Sequence, residues 1–147
     1  MEEKLHLVCA ECDAVNRVPR EKLAAGQGGN CGRCHKPLFS GEPVALSGAR
    51  FARHVASSDI PVVVDFWAAW CGPCRAMAPV FARTAASMEP RARFAKLDVD
   101  ADPATATQYG VQSIPALFVF RRGEVLGRQA GLMDEAALRR WIDQFAA

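Results

Sequence analysis

The sequence lacks the marks of a strongly charged protein. Its 147 residues carry 18 Lys and Arg against 16 Asp and Glu, a formal net charge of +2. A balance so close to neutral gives no reason to expect nucleic acid or an acidic membrane surface as the main partner. Long apolar runs are missing too. No stretch approaches the roughly 20 apolar residues that a membrane-spanning helix needs, so no membrane partner is expected. The start, Met1-Glu2-Glu3-Lys4-Leu5-His6, has no basic stretch leading into an apolar one, unlike a secretory signal. Together these absences predict a cytoplasmic protein, in a compartment where thiols stay reduced.

What the chain does have is cysteine. Six cysteines form three Cys-x-x-Cys pairs, in two different settings. Cys71 and Cys74 lie in Trp70-Cys71-Gly72-Pro73-Cys74, directly after the apolar run Val62 to Trp67. Cys9/Cys12 and Cys31/Cys34 lie in a polar, glycine-rich N-terminal segment. In a reducing compartment, paired cysteines are more often metal ligands or catalysts than structural disulfides. The contrast predicts one redox dithiol on an α/β scaffold and one four-cysteine metal clamp.

The chain divides accordingly. Residues 1–40 are rich in turn formers (Gly26, Gly28, Gly29, Asn30, Gly32, Pro37) and poor in apolar periodicity. A segment of about 40 residues rarely folds alone without a metal or disulfides. Ser40-Gly41-Glu42-Pro43 reads as the joint to a second domain over residues 41–147. There, short apolar strands alternate with helical patterns. Strands are expected at Val44–Leu46, Val62–Trp67, Phe94–Val99, Ala116–Phe120 and Glu124–Gln129. Helices are expected at Ala49–Ala56, Pro73–Met88 (with a kink at Pro79), Pro103–Tyr109 and after an Asp134 N-cap. Arg121-Arg122-Gly123 is a hairpin signal. The pattern is that of an α/β or mixed-sheet domain.

Placing Cys71 after a strand and at the start of a helix has a chemical purpose. Unpaired N–H groups and the helix dipole favour negative charge there, so the Cys71 thiol ionises more readily and attacks better near neutral pH. Two intervening residues put Cys74 one turn inward, shielded, where it can close a disulfide. Pro73 suits the first helical turn, and Gly72 leaves the nucleophile uncrowded. Asp65 is a lone carboxylate in a β-branched apolar strand. Buried there, its pKa should rise, and it could serve as general base for Cys74 through a water. A solvent-facing Asp on a sheet edge is the plainer alternative, though its apolar flanks favour burial. Ser113-Ile114-Pro115 precedes another strand. A cis bond would set the Ile114 backbone beside the dithiol, where it could pair with an extended substrate; an ordinary trans proline is the competing reading.

Val63-Val64-Asp65-Phe66-Trp67-Ala68-Ala69-Trp70-Cys71-Gly72-Pro73-Cys74 closely resembles the active-site segment of thioredoxins. The similarity runs from about Val44 to the C-terminus. It implies a thioredoxin fold, a central mixed β-sheet flanked by helices. It also implies that Cys71 attacks, Cys74 resolves, Asp65 is the buried carboxylate, and Lys96 is its charged neighbour on the next strand. Pro115 corresponds to a cis-proline, Gly131 to a glycine of the substrate groove, and Trp70 to the surface tryptophan beside the dithiol. One departure is visible: the residue after the cis-proline is commonly Thr, and here it is Ala116. Cys-Gly-Pro-Cys further implies a reducing dithiol rather than an oxidase or isomerase. The implied activity is protein-disulfide reduction by a monomer, recharged by an NADPH-dependent thioredoxin reductase, with no bound organic cofactor.

The N-terminal cysteines have the spacing C-x₂-C-x₁₈-C-x₂-C, which falls in the pattern of a four-cysteine zinc site. Gly32 is expected to make the sharp turn of the second knuckle. A closed four-thiolate site has no open position for substrate, so the zinc would be structural. Two disulfides, an iron site or a second redox dithiol are the other readings. His35, beside Cys34, is not needed as a ligand, and His6 and His54 are expected at the surface. A ribbon joined to a thioredoxin domain resembles the thioredoxin 2 type of the family. Two further roles fit the residues. The ribbon could be an adaptor that presents the redox domain to a partner, or its thiolates could sense oxidation. A nucleic-acid role for Arg17, Arg20, Lys22, Arg33 and Lys36 is disfavoured by the missing stacking aromatics and by the offsetting Glu2, Glu3, Glu11, Asp13 and Glu21.

Overall fold

The computed structural model describes residues 3–146. The described residues build two sheets. The first is an antiparallel hairpin of β1 (Lys4–Val8) and β2 (Val15–Pro19), followed by one turn of helix, α1 (Arg20–Ala24). The sequence reading missed this hairpin. Its alternation is short and broken by the cysteine knuckle, and its inward residues Leu5, Leu7 and Val18 find partners only in three dimensions.

The second sheet has five strands in the order β3-β5-β4-β6-β7: β3 (Val44–Ala45), β5 (Arg93–Asp98), β4 (Val62–Trp67), β6 (Ala116–Arg121) and β7 (Glu124–Ala130). β3, β4 and β5 run parallel, and β6 and β7 are antiparallel, so the sheet is mixed. Helices α2 (Gly48–Ser57), α3 (Gly72–Met88), α4 (Pro103–Gln108) and α5 (Glu135–Asp143) cover it. Residues in a strand alternate between faces. Val63, Phe94, Leu117 and Val119 therefore pack under α3 and α5, against Met77, Phe81, Leu138 and Ile142. Val62, Val64, Phe66, Leu97, Phe118 and Phe120 pack on the opposite face, against Phe51 and Val55 of α2. Each such side chain contributes roughly 1.5–3 kcal/mol by leaving water. β4 is central and buried on both faces, which is why it reads as an unbroken apolar run. The same alternation puts Asp65 with Val63 on the α3 side. Asp134 caps α5, its side chain accepting from the Ala137 amide at 2.8 Å.

The ribbon is not a loose appendage. Ile60, the residue before Pro61 and β4, completes the ribbon core of Leu5, Leu7, Leu23 and Leu38. Two bonds tie His6 to Asp59: the Asp59 amide donates to the His6 carbonyl at 2.8 Å, and the His6 amide to Asp59 Oδ2 at 2.8 Å. Arg50 on α2 grips Asp13 through Nε at 2.8 Å. Arg93, at the start of β5, donates to the carbonyls of Val8 and Leu38, both at 2.8 Å, with its guanidinium over the Phe39 ring. Its charge is balanced by Glu89, 4.0 Å away, and both side chains are under 5% exposed. The expectation of a surface His54 is corrected here. His54 is 1% exposed and sits at the contact, its Nε2 3.0 Å from Asp13 Oδ1. Burial pushes its pKa down to about 4, so the ring is neutral and Nε2–H donates to the carboxylate. His6 is exposed, and its Nδ1 lies 2.9 Å from Asp59 Oδ2.

Candidate active site and metal centre

β4 ends at Trp67, and three residues later the chain turns into α3 with Cys71 as its N-cap. The Cys71 sulfur accepts from the Cys74 amide at 3.2 Å, satisfying one of the orphan donors of the first turn. Pro73 occupies that turn without losing a needed bond. Cys71 and Cys74 are disulfide-bonded, with Cα atoms 5.2 Å apart. Cys74 is 1% exposed and Cys71 5%, so the inner sulfur is the more shielded. The Cys71 sulfur lies 3.7 Å from the Ile114 carbonyl oxygen. The Ile114–Pro115 bond is cis, as the resemblance implied, and the Gly131 amide donates to the Pro115 carbonyl at 2.9 Å. Gly131 has φ +98°, a conformation that glycine adopts freely. Trp70, 68% exposed, flanks the dithiol.

Asp65, in the strand that leads to the dithiol, is 1% exposed, with no hydrogen-bond partner for either carboxylate oxygen among the described residues. Burial raises its pKa from the ordinary 3.8 to about 7, and the Lys96 charge offsets only part of that. Lys96 is the register neighbour of Asp65 across the β4–β5 pair, on the same face. Its ammonium sits over the Trp67 ring, 4.5 Å from the centroid, which helps a cation remain near the interior. Sequence reasoning missed one contact here. Asp100 Oδ2 accepts from the Trp70 indole N–H at 2.9 Å and holds the ring in place. These residues are thirty apart, and no local pattern links them. Arg75, one turn into α3, donates to the Ala69 carbonyl at 2.9 Å and braces the loop from the other side.

The second site is in the ribbon. The sulfurs of Cys9, Cys12, Cys31 and Cys34 all lie within 4.8 Å of one another. The Cys9–Cys34 and Cys12–Cys31 separations are 3.7 and 3.6 Å. Zinc–sulfur bonds of about 2.3 Å in a tetrahedron require sulfur–sulfur edges of about 3.8 Å, so the donor set fits a zinc ion. The two knuckles repeat one design. In the first, the Asp13 amide donates to the Cys9 carbonyl and the Cys9 amide to Ala14; in the second, His35 donates to Cys31 and Cys31 to Lys36. The left-handed residue in each is the one after the second cysteine, Asp13 at φ 64° and His35 at φ 67°. The turn expected at Gly32 is therefore made at His35. Gly32 serves by its amide, which donates to Asn16 Oδ1 at 2.9 Å. The Asn16 side-chain amide in turn donates to the Cys31 sulfur at 3.4 Å. The Cys34 amide, the Asn16 side chain and the Arg33 amide all donate toward the Cys31 sulfur and lower the pKa of its thiol. Nothing in the sequence ties Asn16 to the cluster; the β1–β2 hairpin delivers it.

The comparisons agree with this geometry. Residues 42–144 match the thioredoxin family, and residues 8–36 match the family described as thioredoxin 2, N-terminal, a zinc ribbon. Thioredoxin C-3 of Corynebacterium nephridii is 43% identical over 138 residues, covering 94% of this chain and 93% of that relative. The thioredoxin of Haemophilus influenzae is 39% identical, over 70% of this chain and 96% of its own. Among solved structures, a mutant thioredoxin from Halobacterium salinarum superposes with a TM-score of 0.67 at 35% identity, covering 74% of this chain and 95% of its own. A dithiol capping α3, a carboxylate buried in the strand before it and a four-sulfur cluster in the N-terminal ribbon agree with both matches: the chain belongs to the thioredoxin family, in its thioredoxin 2 form, and is a thiol-disulfide oxidoreductase.

Proposed function

We propose that the chain is a cytoplasmic protein-disulfide reductase built from a ribbon module (residues 1–40) and a thioredoxin domain (residues 41–147). One observation carries this reading: the Cys71 sulfur caps α3 beside the Ile114 carbonyl, while Cys74 lies more shielded one turn inward. In the reduced protein, the Cys71 thiolate attacks one sulfur of a target disulfide. A Cys71–target mixed disulfide forms and the other target sulfur leaves as a thiolate, which takes up a proton. Cys74, its proton passed through a water to Asp65, then attacks Cys71 Sγ. The second target thiolate is expelled and the Cys71–Cys74 disulfide closes, so two electrons have moved from the protein to the target. Asp65 suits the proton step because burial brings its pKa to about 7 and no group among the described residues competes for its oxygens. Ile114, Pro115, Gly131 and Trp70 form the groove that orients the target strand, with Gly72 and Pro73 keeping its approach clear. A thioredoxin reductase drawing on NADPH returns the two electrons.

Cys9, Cys12, Cys31 and Cys34 would hold zinc, which supplies a closed cross-link with no position for substrate. Zinc is therefore structural, and the ribbon's small core depends on it. The test is reduction of insulin disulfides with NADPH and thioredoxin reductase, with metal content measured on the same preparation. Turnover that vanishes in Cys71→Ser, with about one zinc per chain retained in both proteins, is the expected result. A folded, zinc-loaded wild type with no turnover would overturn the general-reductase reading in favour of an adaptor.

A further inference from the structure

A cleft of about 460 Å³ does not touch the dithiol. It opens at the other end of β4: Ile60 and Pro61 line it, and the six residues of β4, about 20 Å at 3.3 Å each, separate it from the active-site loop. Both modules build it. Leu5, Leu23 and Ile60 form an apolar floor where the ribbon core meets the thioredoxin domain. Arg20 of α1, Arg91 of the α3–β5 loop, Arg121 at the end of β6 and Arg122 of the β6–β7 turn surround that floor. None of these groups has a role in the redox chemistry or the metal cluster.

The charges around the cleft do not cancel. Arg20 is held by Glu3 through two bonds, of 2.8 and 3.1 Å, and Arg122 by Asp59 at 2.7 Å. Arg91 and Arg121 form no ion pair among the described residues; the one side-chain bond from either, from Arg91 to the Ser87 carbonyl, is long at 3.5 Å. Four guanidiniums against two carboxylates leave two positive charges on one rim, as large as the net charge of the whole chain. The walls are also held in advance. Asp59 is fixed by the His6 amide, the His6 ring and Arg122, so the cleft does not have to be assembled on binding.

We propose that this cleft is a second docking site, which takes an acidic segment of a partner protein bearing one apolar side chain. The apolar residue seats over Leu23 and Ile60, and flanking carboxylates meet Arg91 and Arg121, whose forked donors match a carboxylate two bonds at a time. The arginines come from three stretches of the chain, at 20, 91 and 121–122. Several carboxylates on an extended chain, together with an apolar side chain for the floor, use this lining more fully than a single phosphate would. The site exists only while the ribbon is docked, because Leu5, Arg20 and Leu23 belong to the ribbon.

The test uses the full-length, zinc-loaded protein and a fluorescein-labelled peptide, Asp-Glu-Leu-Glu-Asp, followed by fluorescence anisotropy. Saturable binding is expected below about 1 mM, weakening as salt screens the arginines. Replacing the peptide leucine by glycine, or all four acids by lysine, should each cost about tenfold or more in affinity. The double variant R91Q/R121Q should lose binding to a similar extent while reducing insulin at the wild-type rate. Amide shifts in labelled wild type should move at Leu23, Ile60 and Arg121 and stay still at Cys71 and Trp70, a readout that needs no variant. No saturable binding, equal binding by R91Q/R121Q, or shifts confined to the dithiol would each overturn the proposal. So would binding of inorganic phosphate or ATP at these residues without binding of the peptide.

Discussion

Asp65 should make the oxidised protein lose stability as pH rises, and the size of the loss follows from its burial. The carboxyl titrates at about 7 in the folded chain against an ordinary 3.8, first because burial disfavours the charge, with Lys96 opposing. Between these values the folded state keeps a proton that the unfolded state has released, so stability falls as pH rises through the window and levels off above it. A gap from 3.8 to about 7, at about 1.4 kcal/mol per pH unit, amounts to about 4 kcal/mol between pH 4 and pH 8. The perturbation is Asp65→Asn, which removes the titration and keeps the shape. The assay is urea unfolding of oxidised wild type and variant across that range, so that Cys71 and Cys74 do not titrate. Other groups in the window, His54 and Glu89 among them, are common to both proteins and cancel in the difference. The buried amide carries its own fixed penalty for unmade hydrogen bonds, so the slope is the diagnostic and the absolute value is not. The wild type should fall relative to the variant by several kcal/mol as pH rises. Parallel pH profiles would refute the claim that Asp65 is a buried, protonatable acid.

Three further outcomes follow from the docking and the active-site loop. Arg93→Met should destabilise the protein by about 3–5 kcal/mol, because buried Glu89 loses its counter-charge and the Val8 and Leu38 carbonyls lose their donor; Glu89→Gln in the same chain should recover part of that loss in urea unfolding. Removing zinc with a chelator should raise amide exchange in β1, β2 and α1 while the five-stranded sheet stays protected, since the clamp holds the small core and the larger one has its own. Asp100→Ala should release the Trp70 indole; losing one exposed hydrogen bond should raise KM for protein disulfides about two- to ten-fold with little change in kcat, measured with insulin over a range of concentrations.

Much of the site was legible in the chain because its signals are local. A Cys-x-x-Cys following an apolar strand marks a helix start, and four cysteines in two knuckles mark a clamp. Asp65 stood out because a carboxylate amid Val62, Val63, Val64 and Phe66 has no local reason to be there. The groups that went unseen are those whose partners lie far along the chain. His54 looked like a surface residue because nothing within a helical turn of it reveals Asp13, 41 positions away. Arg93 and Glu89 are four apart, and their meaning comes from the Val8 and Leu38 carbonyls and the Gly41 amide. Gly32 was credited with a turn that His35 makes, because a glycine inside a knuckle is a weaker guide than the backbone itself.

The sequence by itself therefore determined which cysteines form the dithiol and which the four-sulfur cluster, which strand is central, and which acid is buried in it. Residue type and short-range spacing settle these, since helix caps, knuckles and strand alternation act over a few residues. The tertiary structure alone decided how the ribbon sits, that Ile60 closes its core, that Arg93 and Asp13 bind it down, and that four arginines surround one cleft. Those arrangements depend on the order of strands in the sheet and on contacts across dozens of residues, and only burial and charge in three dimensions select among them.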